Sequence, residues 1–197
     1  MPGGIAFNET MEGWFALGAR TPDEGSAQGQ QEGSRLAMHA RIVIDDLDRF
    51  ITVREHPGGL TGTIDFQPWG MGLSADSGVF QLFAPDAGSD LRRMVYELAF
   101  RSEAKDFYLA GEKLVKNDAG VDLWRDTTTL YTTLHQGMDR SGPVVGAGIL
   151  SLGVPQLLAL ISTLKPINGG DFSTVGTFGR FFFGQLWDIY APHLQKT

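Results

Sequence analysis

A chain of 197 residues with 42% hydrophobic and 20% charged side chains has the length and apolar content of one folded domain, expected to span 1–197. A formal net charge of -7, with no basic cluster interleaved with aromatics, excludes nucleic acid as an expected partner, and zero Cys excludes disulfides, thiolate metal ligands and a Cys nucleophile. The opening MPGGIAFNETMEGW lacks a basic segment leading into a long apolar core, and no run of about 18 apolar residues occurs, so neither a signal peptide nor a membrane helix is expected and the chain is assigned to the cytoplasm.

Residues 5–17 alternate. Ile5, Phe7, Glu9, Met11, Gly13 and Phe15 share one face, and Asn8, Thr10, Glu12 and Trp14 share the other. The first face is the more apolar, so Glu9 points inward. Residues 18–34 are rich in Gly and Gln and show no periodicity, which predicts a mobile loop at a barrel mouth or a disordered insert. Residues 35–44 form a strand with Leu36, Met38, Ala40, Ile42 and Ile44 inward and His39 outward, a surface position. Asp45 to Phe50 reads as a short helical turn with an Asp cap, and its acidic spacing does not match a calcium loop.

His56 to Gly59 is a turn, with His56 at its rim. Residues 60–67 and 71–83 read as short strands with Gly bends, and Pro85 to Gly88 as the next turn. Residues 92–101 alternate again, with Met94, Tyr96, Leu98 and Phe100 on one face. Tyr96 is then buried and needs a hydrogen-bond partner.

The stretch Phe107 to His135 reads as a long hairpin turning at Asn117-Asp118-Ala119-Gly120. Lys113 shares a face with Phe107, Leu109 and Val115. Asp126 shares one with Trp124, Leu130 and Leu134. Charge on an apolar face is costly unless paired or open to a cavity. Lys113 therefore either pairs with a carboxylate, for which Glu9 is a candidate, or lines a pocket together with Asp126.

Residues 144–152 read as an apolar strand. The segment 154–190 is helical and packs on the barrel. Its first helix buries Leu157, Leu158, Ile161 and Leu164, and its second, from about Thr174 to Tyr190, presents Phe178, Phe181 and Phe182 as a core seal. Strands in succession without long intervening helices predict a mainly β fold. The expected form is an antiparallel closed β-barrel of lipocalin-like type, with roughly eight strands and two C-terminal helices.

The stretches FNETMEGWF, REHPGGLTGTI, MVYELAF with GEKLV, DLWRDTTTLY and GAGIL resemble the β-rich domain associated with cholesterol-oxidase-like members of the glucose-methanol-choline flavin oxidoreductases. The resemblance implies a lipophilic or sterol-like ligand and a flavin oxidoreductase as a partner. It supplies no catalytic residues. No strand–GxGxxG–helix unit is present, so no cofactor is expected in this chain.

Three functions follow. The first is binding of a lipid, sterol or polyketide-like molecule in the barrel, lined by Phe7, Met11, Phe15, Met38, Met94, Leu98, Phe100 and Trp124. The second is a cofactor-free isomerase or cyclase using Glu9, Lys113, Asp126 and Tyr96 for proton transfer. The third is an accessory domain docking on a flavin oxidoreductase. No HExxH, GxSxG, P-loop or metal-ligand spacing occurs.

Overall fold

The computed structural model describes residues 3–85, 92–115 and 127–194, for the backbone alone beyond residue 185. Ten strands belong to one antiparallel sheet: β1 Gly4–Leu17, β2 Arg35–Ile44, β3 Pro57–Phe66, β4 Gly70–Ala75, β5 Ser77–Pro85, β6 Arg92–Ser102, β7 Lys105–Val115, β8 Thr129–Gln136, β9 Val144–Ser151 and β10 Lys165–Ile167. The order β1-β2-β3-β5-β6-β7-β8-β9 returns to β1 and closes an eight-stranded barrel. β4 pairs outside the ring on β3, and β10 on the start of β1.

Closure depends on β1, which pairs with β2 from Ile5 to Trp14 on one edge. On its other edge, Gly4–Ala6 meet β10 and Glu12–Leu17 meet β9. A Cβ on Gly13 would lie 2.0 Å from the Ile149 carbonyl oxygen, so this residue lets the closing strand approach. Between the two registers the edge is bridged by a side chain. Asn8 N–H donates to Thr163 Oγ1 at 2.9 Å, and that hydroxyl's proton is shared between the Leu160 carbonyl at 2.8 Å and the Asn8 carbonyl at 3.3 Å.

The alternation read from the sequence holds. Ile5, Phe7, Met11 and Phe15 of β1, Leu36, Met38 and Ile42 of β2, and Met94, Tyr96, Leu98 and Phe100 of β6 are all buried. The strand expected over 71–83 is two strands: β4 ends at Ala75 and β5 starts at Ser77, both pair with β3, and β5 goes on to pair with β6. The turns expected at 85–88 and 117–120, apart from Pro85 at the end of β5, lie outside the described residues, as does the first part of the strand expected after Gly120.

The expectation of a mobile loop over 18–34 is corrected. Pro22–Glu32 is helix α1, capped by the Thr21 hydroxyl and ended by Gly33 in the left-handed region. Its buried residues are Gly25 and Gly29, whose added Cβ atoms would lie 1.9 Å from Ala147 O and 2.5 Å from Phe15 N. The helix therefore rests backbone to backbone on the outer wall at β1 and β9. Packing of that kind leaves no apolar stripe for the sequence to display.

Helix α2, Leu47–Thr52, is the expected short turn, with Asp46 accepting from Arg49 N–H at 2.9 Å. Helix α3, Val154–Thr163, corrects the expected stripe: Leu158 and Ile161 face solvent, while Leu157, Leu160 and Leu164 pack against the core. Helix α4, Phe172–Leu194, covers one barrel end. Its Phe178 lies 5.8 Å from Phe7, its Phe181 4.9 Å from the His56 ring and its Phe182 5.5 Å from Phe83. No described helix is long and apolar enough to cross a membrane.

Candidate functional site

At the middle of the bore, Lys113 Nζ on β7 donates to Glu9 Oε1 on β1 at 3.0 Å. Tyr96 Oη on β6 donates to Glu9 Oε2 at 2.9 Å, and Lys113 Nζ also donates to Tyr96 Oη at 3.3 Å. Both charged side chains are only 2% exposed. β1 lies four strands from β6 whichever way the ring is followed, so the triad is a strut between opposite walls. The alternation sends all three groups inward, and Gly111, opposite Tyr96 on β7, lets the Leu130 side chain pack where a Cβ would stand, 2.8 Å from it.

An ion pair in such surroundings has given up most of its hydration. Its attraction repays that cost only when the remaining hydrogen bonds are met. Glu9 meets the condition by accepting from an ammonium and a phenol at once. Burial, together with the Glu9 charge and hydrogen bond, raises the Tyr96 phenol well above its ordinary value and keeps it a neutral donor. The triad thus carries no net charge.

The strut divides the bore. On one side, Phe7, Phe80 and Phe83 continue to Phe178 and the α4 end. On the other, Phe15, Phe66, Trp69, Phe100 and Phe107 form a second aromatic cluster, with Trp69 stacked 4.3 Å from Phe107. Of the residues expected to line a ligand, Phe7 and Met94 fall toward α4, whereas Phe15, Met38, Leu98 and Phe100 fall toward Trp69. Met11 is buried beside Met38. Trp124 and Asp126 lie outside the described residues. In the described state the bore is filled, since Phe15, Ile42, Ile64, Phe80, Phe83 and Leu130 have 1% exposure or less.

The α4 end holds two bulky residues at positive φ, His56 at 43° and Phe83 at 52°, and each meets a phenylalanine of α4. His56 is buried, with Nδ1 2.7 Å from the Phe50 carbonyl oxygen, and is not the open rim residue expected from its turn. His135 is also structural: its ring contacts the Gly142 carbonyl and Thr133.

Strand alternation predicts His39 to be a surface residue. It does face outward, but it stands between Thr10 Oγ1 at 3.1 Å and Asp65 Oδ2 at 3.0 Å. These residues are 26 to 55 positions apart in the chain, and only strand register makes them neighbours. Among the described residues, no three His, Asp or Glu side chains gather to hold a metal ion. Comparisons with protein-family models, with curated proteins and with solved structures found no match to this chain.

Proposed function

We propose that the barrel binds a hydrophobic small molecule, a lipid, sterol or polyketide-like compound, in the half of the bore that faces α4. The ligand's polar end meets the Glu9–Lys113–Tyr96 strut. The strut carries this reading: a barrel that needed only stability would gain as much from apolar side chains at these positions. Eight strands enclose either packed side chains or one small ligand. Room for a ligand comes from lifting Phe178, Phe181 and Phe182, which occupy the mouth as an apolar ligand would. The positive φ at His56 and Phe83 stores about 1–3 kcal/mol each where α4 rests, and this favours such a movement.

Native mass spectrometry of the protein purified from its own host, followed by solvent extraction, tests this reading. The expected result is one apolar molecule per chain. A chain that arrives empty and also fails to take up added sterols, fatty acids or their esters overturns it.

The closeness of the three polar groups also favours a second reading, a cofactor-free isomerase or cyclase. Glu9 would accept a proton, and Lys113 and Tyr96 would hold an enolate oxygen. Turnover of the extracted molecule, lost in Glu9→Gln, separates catalysis from binding. The exposed Phe172 and Phe183 on α4 favour a third role, docking on a flavin oxidoreductase as the sequence resemblance implies.

A further inference from the structure

We propose that Thr10, His39 and Asp65 form an acyl-transfer site on the outer barrel wall, with activated esters or thioesters as substrates. The site is independent of the bore. Three neighbouring strands, β1, β2 and β3, each supply one group, in the order hydroxyl, imidazole, carboxylate. An ionised carboxylate only accepts, so in the neutral imidazole Nε2 carries the proton toward Asp65. Nδ1 is then left as the acceptor for the Thr10 hydroxyl. Such a constellation is defined by geometry and roles, and here the ring is turned the other way from the serine-protease triad, with Nδ1 facing the hydroxyl and Nε2 the carboxylate.

Asp65 is itself anchored. Gly72 N–H donates to its other oxygen at 2.6 Å, and this bond, aided by His39, holds the carboxyl below its ordinary range. The relay is open to solution, with the His39 side chain 41% exposed and that of Asp65 21% exposed.

One donor adjoins the hydroxyl, and a cation shares its face. Alternate residues of a strand direct their N–H groups to the same edge. Asn8 N–H points to the edge bridged by Thr163, so Thr10 N–H points there too. The β10 register ends at Ala6 and the β9 register begins at Glu12, so neither strand takes up the Thr10 N–H. A nucleophile's own backbone N–H is a recurrent oxyanion donor. The adjacent outward pair, Asn8 and Arg41, places an exposed guanidinium one step along the same face.

The reaction balances without a redox partner. Thr10 Oγ1 attacks the ester carbonyl carbon, and its proton passes to His39 Nδ1. The resulting oxyanion is met by Thr10 N–H, with the Arg41 guanidinium further along the same face to offset its charge. Collapse breaks the carbonyl–leaving-group bond, and the departing alcohol, phenol or thiol takes the proton from His39. Water, deprotonated by His39, then attacks the Thr10 ester; the acyl–Oγ1 bond breaks, Thr10 Oγ1 takes the proton back from His39, and the acid is released. The face is shallow and offers the leaving group little binding, so the substrate must carry a good leaving group.

Incubating the full chain with p-nitrophenyl acetate tests the proposal. Nitrophenolate release gives the rate, and peptide mass spectrometry locates the acetyl group. The expected adduct is a hydroxylamine-labile ester on Thr10, lost in Thr10→Val and kept in Thr10→Ser. His39→Gln should slow release about a hundredfold. Asp65 is a positioning residue: Asp65→Asn should shift the His39 tautomer in nitrogen NMR and slow release while the melting temperature holds. Acetylation confined to lysine amides, a labile adduct that survives Thr10→Val, or an unchanged rate in His39→Gln overturns it.

Discussion

The same three chemical groups occur on both sides of one barrel wall. Inside, a cation, a carboxylate and a phenol meet as Lys113, Glu9 and Tyr96. Outside, Arg140 from the β8–β9 loop and Tyr108 of β7 both donate to Glu97, and Arg140 also reaches Glu112 at 2.7 Å. Tyr96 and Glu97 are consecutive on β6, so the strand pleat alone assigns one to each set. The inner charges are 2% exposed, whereas Arg140 is 43% and Glu97 13% exposed. Water screens the outer set and lets its members re-solvate when a partner is lost. The inner set has no such refuge, so equal chemistry should give unequal energetics.

Lys113→Met tests the contrast at its largest. It orphans a buried carboxylate and should lower unfolding free energy by about 3–5 kcal/mol in urea titrations. The paired change Glu9→Leu with Lys113→Met should recover most of that loss, since an apolar pair needs no hydration. An unchanged melt in the single variant would remove the distinction between the two sets.

Tyr96→Phe comes next. It takes one of two donors from buried Glu9 and should cost about 1–3 kcal/mol, against about 0.5–1.5 kcal/mol for Tyr108→Phe, where water can replace the phenol. Arg140→Met should cost about 0–1 kcal/mol, and that cost should shrink with added salt. A loss matching that of Lys113→Met would show that the outer set is as poorly solvated as the inner.

Alkaline titration sharpens the comparison without mutation. Burial first, and then the neighbouring glutamate, raises both Tyr96 and Tyr108 above the ordinary value of 10.0. A raised phenol favours the folded state fully below pH 10.0, and that contribution is lost as the pH climbs toward the folded value. Phenolate absorbance should therefore show a late component, half of which disappears in Tyr96→Phe and the rest in Tyr108→Phe. Ionisation of Tyr96 near 10.0 would mean that water reaches the strut.

The barrel was legible because a closed antiparallel sheet buries every second residue, and β1, β2, β6 and β7 display that period openly. The inward direction of Glu9, Tyr96 and Lys113 followed from it. Helix α1 was hidden because it packs through Gly25 and Gly29, although its capping residues Thr21, Pro22 and Gly33 were in view. α3 is apolar on more than one face. Leu157, Leu160 and Leu164 form as good a stripe as the one expected through Leu158 and Ile161, and only the barrel surface chose between them.

Which residues face the bore, and that charge is buried there, could be read along the chain, because strand alternation is a local property of the backbone. Tertiary structure decided who meets whom. Glu9 and Lys113 are 104 residues apart, and Thr10 and His39 are 29 apart. Ring closure brings the first pair across the bore, and strand register brings the second pair side by side. Both are set by the hydrogen bonding and packing of the whole sheet.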